Sequence, residues 1–375
     1  MPRSPDGASA KSGIVSITIK GTSVPKQHRV PADEARALCV EAFMRRGVPA
    51  ADAALAAEQF VLCDLFGIRT HGTRRLSNYI GRIECGGINP KPDIRVVSRV
   101  PPIAILHGDG GLGTVVASRG LEEGIRRAKA NGIAYVGCID SNHFGANAAY
   151  GWLAAREGLV CLSGSTATPT IPPAGGRTAA VGNNPVGYAA PCAGGPPFLL
   201  DIAMSVTSRG KLRRARELGE TIPEGLGLDR DGRPTTDPGE ALEGFMLPMG
   251  GHKGYGLALA AEVLAALLSG GGFGSEIRHQ FKEPERPSNI SHYFLLIDPE
   301  ATVGRAAFEA RMRAYCDAIK ATPPADPSRP VRVPGEGAAA NHARNAAEGL
   351  AMDEAEYARL RGLAAGTLRG EVPEA

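Results

Sequence analysis

Glycine and proline interrupt this chain at short, uneven intervals: 49 glycines and 29 prolines occur among its 375 residues. The share lies below that of low-complexity chains, and no Gly-X-Y period accompanies it. Collagen, coiled coil and wholesale disorder are therefore excluded. Because glycine adopts backbone conformations that other residues avoid, the pattern predicts a globular protein with many tight turns and close backbone approaches.

Charge and cysteine content narrow the class of protein further. The 42 Lys and Arg residues nearly balance the 39 Asp and Glu residues, so the chain as a whole has no marked attraction to nucleic acid or to an anionic membrane. The apolar stretches are too short to span a bilayer. Seven scattered cysteines form no C-x-x-C pair, which favours reduced thiols in a cytoplasmic protein over disulfides or a zinc site. We expect no membrane, nucleic-acid or metal partner.

Helix-like and strand-like patterns alternate along the chain and predict a mixed α/β (α+β) protein. In order, the predicted parts are a disordered leader with a short strand at 14–20 (residues 1–27), a helical N-terminal region (28–100), an α/β domain (101–320), and a C-terminal loop with helices (321–375). The helices predicted at 338–365 are expected to pack against the helical N-terminal region.

Residues 108–113, Gly-Asp-Gly-Gly-Leu-Gly, match the G-x-G-x-x-G fingerprint of dinucleotide-binding loops. They lie between a strand pattern at 103–107 and a helix pattern at 114–130, where such glycines let the backbone approach a pyrophosphate. However, a hundred residues of other structure precede the loop, and Asp140 lies further downstream than the usual ribose acid. A Rossmann dehydrogenase that uses this loop is one alternative function.

Five other turn-like segments concentrate reactive side chains: residues 70–75, 141–145, 201–205, 250–256 and 334–336. In the first, His71 lies between a hydroxyl residue and glycine, which suits acid/base chemistry near neutral pH. Arg75, one helical turn further on, can bind a substrate carboxylate with two hydrogen bonds. His143 follows a predicted strand and is a second acid/base candidate, with a structural histidine as the alternative.

Further candidates follow along the chain. Asp201 ends a predicted strand and could bind a ribose hydroxyl, orient a histidine or cap a turn. Lys253 lies among glycines at a helix start, where a phosphate could meet its ammonium group and the backbone N–H groups. The run 209–216 carries five basic residues, which makes a non-catalytic nucleic-acid-binding protein the alternative from a different class. Without interleaved aromatics, a solvated helix face or a patch near a nucleotide phosphate is favoured.

Taken together, these segments resemble the malate/L-lactate dehydrogenase family of non-Rossmann NAD(P)-dependent oxidoreductases. The marks of the resemblance run in one order from about residue 28 to 365 and include DLFGIRTHGTRRLSNYI, SNHFGA, DIAMSVTSRGK, LPMGGHKGYGLALAAEVL and VRVPGEG. The resemblance implies that 28–100 is the substrate region and 101–320 the cofactor-binding domain. It also implies a largely antiparallel sheet in that domain, a structural role for 108–113, and a homodimer with its active site near the interface.

The resemblance further implies hydride transfer between NAD or NADP and C2 of a 2-hydroxy acid or its 2-oxo counterpart, without a metal. Carried over by position, His71 or His143 handles the proton. Thr70 and Arg75 bind the substrate, and Arg75 does so by binding the substrate's carboxylate. The implied cofactor-binding residues are Asp201, Ile202, Ala203, Lys253, Pro334, Gly335 and Glu336. Asp201 could instead complete a catalytic hydroxyl–His–Asp relay. The polar loop 274–292 lies where features that select the substrate could be housed, and the substrate's identity is left open.

Overall fold

The computed structural model describes residues 27–372, so the predicted leader and the strand at 14–20 lie outside the described residues. The helices are α1 (Ala32–Met44), α2 (Ala50–Leu65), α3 (Leu76–Glu84), α4 (Gly113–Asn131), α5 (Asn147–Arg156), α6 (Arg209–Leu218), α7 (Pro238–Glu243), α8 (His252–Glu262), α9 (Arg305–Lys320), α10 (Glu336–Glu348) and α11 (Glu354–Ala365). The strands are β1 (Gln27–Val30), β2 (Arg95–Val100), β3 (Ile103–His107), β4 (Ile133–Ser141), β5 (Val160–Ser165), β6 (Val186–Ala190), β7 (Phe198–Ile202), β8 (Gly227–Leu228), β9 (Pro234–Thr235), β10 (Phe245–Met246), β11 (Ile290–Ile297) and β12 (Leu350–Asp353).

Both ends of the described chain build one helical layer. Helices α1 and α2 each begin directly after a proline, which fits the first turn because its missing N–H would have no partner there. Helix α11 packs against α1, and α10 packs against α2. Strand β1 pairs with β12 in antiparallel register, which ties the two ends together. The predicted contact between the helical ends is present, whereas the domain boundaries stay a prediction.

A seven-stranded sheet forms the middle of the molecule, in the order β2-β3-β4-β11-β5-β6-β7. Strands β3 and β4 are parallel and are joined by α4, while every other neighbouring pair in this sheet is antiparallel. The predicted α+β fold with a largely antiparallel sheet is therefore confirmed. A Rossmann fold, which needs a mostly parallel, doubly wound sheet, is excluded.

Layers of helix cover both faces of this sheet. Helices α4 and α5 pack on one face, and α2 packs outside them. A π-helical turn at 263–267, which continues α8, packs on the other face against β4 and β11. Because β4 and β11 are covered on both sides, they are almost continuously apolar rather than alternating. Within residues 27–372, no helix has the length and apolar character needed to cross a bilayer.

Candidate active site

The segment that carries His71 and Arg75 consists of two short 3-10 turns between α2 and α3. It is held by Asp64 at the end of α2, whose Oδ2 accepts hydrogen bonds from the Thr73 backbone N–H (2.9 Å) and hydroxyl (2.6 Å). Glycine is required at position 72, because a Cβ there would overlap the Asp64 carboxyl group. Burial raises the pKa of Asp64 to about 6, although the bonds from Thr73 oppose this.

The two candidate histidines lie side by side. The rings of His71 and His143 are stacked, with centroids 5.4 Å apart and planes inclined by 20°. The Thr70 hydroxyl lies 3.0 Å from Nδ1 of His71, and the Tyr79 hydroxyl lies 2.6 Å from Nδ1 of His143. The Tyr79 hydroxyl also lies 2.9 Å from the backbone oxygen of His143. Both Nδ1 atoms are thus engaged, which leaves each Nε2 to meet a ligand.

Electrostatics keep both imidazoles neutral near pH 7. Burial, and then the positive charge of Arg75, lower the pKa of His71 to about 4. Burial is also the main cause that lowers the pKa of His143 well below its usual range, followed by Arg75 and His71. Burial raises the pKa of Tyr79, so its phenol stays protonated. A neutral imidazole can accept a proton from a hydroxyl group or donate its own N–H hydrogen bond.

Arg75 supplies a positive charge beside the histidines. Within residues 27–372 it forms no salt bridge, and its buried Nε has no hydrogen-bond partner. Its guanidinium carbon lies 5.8 Å from the ring centre of Phe281. A half-buried guanidinium without a carboxylate is unfavourable, because it has lost part of its hydration without gaining a counter-charge. The arrangement suits an anionic ligand such as the predicted substrate carboxylate.

The segment of His143 is held by its neighbour Asn142, which is fully buried. The Asn142 amide donates to the carbonyl oxygens of Gly110 (2.8 Å) and Gly111 (2.9 Å), and its Oδ1 accepts from Arg82 (3.0 Å). The glycine loop 108–113 thus packs directly beneath the histidine segment. A Cβ on Gly113 would overlap the carbonyl oxygens of Asn142 and His143, so this backbone covers the start of α4. The alternative in which 108–113 binds a nucleotide in a Rossmann fold is therefore wrong.

Several residues that hold the site were not singled out in the sequence. His292 on β11 is fully buried and bridges Ser141 and Ser165, each at 3.0 Å, while the ring of Phe144 stacks on it at 4.4 Å. Burial lowers the pKa of His292 to about 3, so it is a neutral structural histidine. Asp64, Tyr79 and Asn142 likewise act through other groups. Each lies inside or beside a motif of the family resemblance, but no spacing rule separates it from ordinary core residues.

Asp201 lies at the end of β7 and contacts the start of α5. Its Oδ2 accepts from the Ala148 backbone N–H at 2.9 Å, and Asn147 donates to Oδ1 at 3.4 Å. A carboxylate suits this place, because the first N–H groups of a helix have no partner within the helix. Burial raises the pKa of Asp201. Within residues 27–372 its hydrogen bonds go to α5 and not to a histidine, so the relay role stays a prediction.

The other predicted cofactor-binding residues gather around the same strand. Ile202 is the last residue of β7, and Ala203 follows it. The turn that contains Pro334, Gly335 and Glu336 lies beside β7, because the Pro334 carbonyl accepts from the Leu199 N–H at 3.1 Å. The Glu336 carboxylate forms a salt bridge with Lys320 at 2.5 Å. The structure thus brings these segments together at one strand, and their contacts to a cofactor stay a prediction.

The glycine-rich turn before α8 adjoins them, since the Met249 N–H donates to the Met204 carbonyl at 2.8 Å. Gly250 and Gly251 have φ angles of 62° and 65°, and a Cβ on either would meet no atom within 4 Å. Lys253 is exposed on the first turn of α8. Open backbone, free helix N–H groups and an ammonium group form a donor set that fits the pyrophosphate of a dinucleotide. Within residues 27–372, no three His, Cys, Asp or Glu side chains are grouped to hold a metal ion.

Comparisons with known proteins agree with this geometry. A family model described as malate/L-lactate dehydrogenase matches residues 30–361. Malate dehydrogenase of Pyrococcus horikoshii is 38% identical over 302 residues, which are 78% of this chain and 83% of that protein. Ureidoglycolate dehydrogenase (NAD(+)) of Escherichia coli O157:H7 is 33% identical over 314 residues, 84% of this chain and 89% of that one. The solved structure of sulfolactate dehydrogenase from Methanocaldococcus jannaschii has a TM-score of 0.83 at 35% identity and covers 90% of this chain and 97% of its own.

Proposed function

The chain belongs to the malate/L-lactate dehydrogenase family, and on that premise we propose that it transfers a hydride between NAD(P)H and C2 of a 2-oxo acid or its 2-hydroxy counterpart. The observation that carries the proposal is the stacked pair His71 and His143 beside Arg75, which forms no salt bridge within residues 27–372 and whose buried Nε has no hydrogen-bond partner there. Relatives of this chain are named as NAD(+)-dependent and NADP(+)-dependent dehydrogenases, and both cofactors are candidates here.

The chain's own residues orient the substrate and move its proton. Arg75 binds the C1 carboxylate, which places the C2 oxygen beside the histidine rings. The Nε2 of His71 or of His143 accepts the hydroxyl proton in oxidation and returns it in reduction. The bound cofactor supplies or accepts the hydride. Lys253 and the first turn of α8 would hold the pyrophosphate, and Ile202, Ala203 and the turn at 334–336 would contact the remainder of the cofactor.

Replacing each histidine in turn tests this assignment. We expect His71→Ala and His143→Ala each to reduce turnover, the acting acid/base by about 100- to 10,000-fold and the other by less. The assay follows NADH and NADPH oxidation with pyruvate, oxaloacetate, sulfopyruvate, a diketogulonate and a cyclic imino acid. Wild-type reductase activity in both variants would contradict the mechanism. No turnover with any acid, together with no binding of either cofactor, would remove the enzyme function altogether.

The protein is also proposed to be a homodimer. Apolar side chains are exposed along α8, the π-helical turn and the residues after it: Leu257, Leu259, Val263, Leu267, Leu268 and Phe273. Several large apolar side chains exposed within one segment are typical of a protein–protein interface. Light scattering after size exclusion should give twice the chain mass. We expect Leu267→Glu to yield monomers, whereas a wild-type monomer at micromolar concentration would contradict the dimer.

A cytoplasmic location is proposed from the thiols. All seven cysteines are free, and five of them are buried. Burial raises the pKa of Cys39, Cys63, Cys138 and Cys161, so these thiols stay protonated and unreactive. Free thiols suit a reducing compartment. Cell fractionation with a thiol-labelling reagent tests this, and recovery with an oxidised periplasmic or secreted fraction would contradict it.

A further inference from the structure

Helix α6 divides its basic residues between two environments. Leu212 is buried in a small apolar cluster with residues of α7 and β10, and this contact fixes the orientation of the helix. As a result, Arg209 and Arg213 are half-buried, while the other three basic residues of 209–216 are exposed. The run is therefore not one solvated face, and it does not present all its charges to a nucleic acid. Of the half-buried pair, Arg213 faces the active site, because it contacts the same ring as Arg75.

Arg213 approaches the same aromatic ring as Arg75. Its guanidinium carbon lies 5.1 Å from the ring centre of Phe281, and that of Arg75 lies 5.8 Å from it. Within residues 27–372, neither arginine forms a salt bridge. The buried atoms Nη2 of Arg213, Nε of Arg75 and Nε of Arg209 have no hydrogen-bond partner. The guanidinium groups of Arg75 and Arg213 thus meet at one end of the site, with Arg209 near Arg213, and within residues 27–372 the carboxylate that acts on Arg213 is that of Glu217 on the same helix, without a salt bridge between them.

One bound carboxylate can neutralise Arg75 but leaves Arg213 with only the partial compensation of Glu217 and, within residues 27–372, no salt bridge. The two guanidinium groups repel each other across the Phe281 ring, and the pKa of Arg75 is lowered mainly by burial and further by Arg213, although Tyr79 opposes this. Burial and the neighbouring Arg216 lower the pKa of Arg213, although Glu217 opposes this. Partly desolvated cations that repel each other become favourable only when anions bind between them. A ligand with two anionic groups would satisfy both.

The loop between α8 and β11 completes this part of the site. His279 packs against Phe281, with ring centres 5.7 Å apart. Burial, then Arg209, Lys282 and Arg213, lower the pKa of His279 to about 4, so its neutral ring can donate an N–H bond without adding charge. The loop is held from the other side by Arg82, which donates to the carbonyl of Arg286 at 2.8 Å.

We propose that Arg213 determines substrate specificity by binding a second anionic group, a carboxylate or a sulfonate, on the 2-oxo acid whose C1 carboxylate is bound by Arg75. Phe281 contacts both guanidinium groups and lies along the short carbon chain that joins the two anions. The reaction itself rests on the proposed function, but the binding of a dianion does not. A site with an unpaired buried charge discriminates strongly against a ligand that lacks the matching group.

Steady-state kinetics of Arg213→Gln test this proposal. Wild type should prefer oxaloacetate or sulfopyruvate to pyruvate, and the ratio between the two dianions tells a carboxylate subsite from a sulfonate subsite. In Arg213→Gln we expect kcat/KM for the preferred dianion to fall about 10- to 100-fold, mainly through KM, with the value for pyruvate nearly unchanged. Arg213→Lys should recover part of the loss. Arg214→Gln is the matched control, because Arg214 is exposed on the same helix and should leave both substrates unchanged.

A binding measurement separates this proposal from the proposed function. Succinate and butyrate have no reactive C2 group and differ by one carboxylate. Calorimetric titration should show tighter binding of succinate to wild type, and Arg213→Gln should remove the difference. If the protein reduces no acid but keeps this Arg213-dependent preference, the proposed function fails and the dianion subsite stands.

Three results would overturn the proposal. The first is a wild-type preference for pyruvate over both dianions. The second is an equal loss on pyruvate and on the dianion in Arg213→Gln, with an unchanged melting temperature. The third is an effect of Arg213→Gln confined to the KM of NADPH, which would assign this cation to a 2′-phosphate of the cofactor.

Discussion

Two glycine-rich turns precede helices in this molecule, and they differ in what surrounds their glycines. The turn at 108–113 leads into α4 and is closed: a Cβ on Gly108, Gly111 or Gly113 would meet atoms at or within 3.0 Å. The turn at 250–251 leads into α8 and is open, since a Cβ on Gly250 or Gly251 would meet no described atom within 4 Å, and neither would one on Gly256 in the second turn of the helix; Gly254 is the exception, because a Cβ there would overlap the Met249 carbonyl oxygen. The closed turn allows protein backbone to approach, and the open turn leaves its N–H groups to a ligand.

The closed turn matches a nucleotide fingerprint in sequence, but its close neighbour is the segment of His143. Its local setting is also as the fingerprint requires, because β3, α4 and β4 form a parallel strand–helix–strand unit. The difference from a nucleotide-binding loop is that the backbone of Asn142 and His143, and not a phosphate group, lies against the start of α4. The G-x-G-x-x-G pattern therefore indicates that some group approaches the backbone closely, but it does not distinguish a ligand from another segment of the protein.

The largest effect that would separate the two turns is expected from Gly113→Ala. The added Cβ overlaps two backbone oxygens that cannot rotate away, so the segment of His143 must move. Overpacking of this kind costs about 1–3 kcal/mol of the free energy of unfolding, and sometimes more. Because an ångström of displacement at a catalytic group is costly, we expect kcat to fall by about 100-fold. Thermal unfolding and steady-state kinetics measure both. Wild-type values of both would show that this turn is not closed.

Lys253→Met tests the open turn and should have the next largest effect. Loss of a charged hydrogen bond to a phosphate is expected to raise the KM of the cofactor about 10-fold while kcat changes little. The melting temperature should not change, because Lys253 is exposed. Lys91→Met, at an exposed loop position between α3 and β2, is the control for loss of one positive charge. Equal KM values in the two variants would remove Lys253 from the cofactor site.

Sequence motifs predicted the family and the antiparallel sheet more successfully than local patterns predicted helices and strands. The structure also brings His71, His143 and Arg75 together, while their roles stay a prediction. The family assignment is confirmed by the match over 30–361. Local patterns predict helix throughout 338–365 and so do not reveal strand β12, because its partner β1 lies more than 300 residues away and only Gly349, with a φ of 87°, interrupts the helix. In the sequence Arg213 is one member of a charge run, because the burial of one face of α6 depends on the packing of Leu212 against residues further along the chain.

The pH dependence of oxidation tests the burial of the histidines beside the closed turn at 108–113. A base is active when unprotonated, and the free-enzyme profile of kcat/KM reports its pKa. With the pKa of His71 lowered to about 4 and that of His143 also lowered, kcat/KM for the 2-hydroxy acid should change less than about twofold between pH 7.5 and 5.5. An imidazole with the ordinary value of about 6.5 would lose about tenfold. If Gly113→Ala displaces a histidine toward water, the pKa of that histidine should rise, and kcat/KM should begin to fall at a higher pH than in wild type. A wild-type limb near 6.5 would show that the histidines are not desolvated.

Gly256→Ala should have the smallest effect, and it tests directly whether the space beside the start of α8 is open. The added methyl group meets no atom within 4 Å, and alanine favours the helix, so the free energy of unfolding without ligand should rise by about 0.5–1 kcal/mol. A lower melting temperature would mean that the space is filled in solution, as by a second copy of the chain. If the ligand-free protein is stabilised while the KM of the cofactor rises, the space at α8 is kept open for the cofactor. If neither binding nor activity changes, the cofactor approaches earlier in the chain, at Gly250 and Gly251. Alanine at either of these two positions would also impose backbone strain, because both have positive φ.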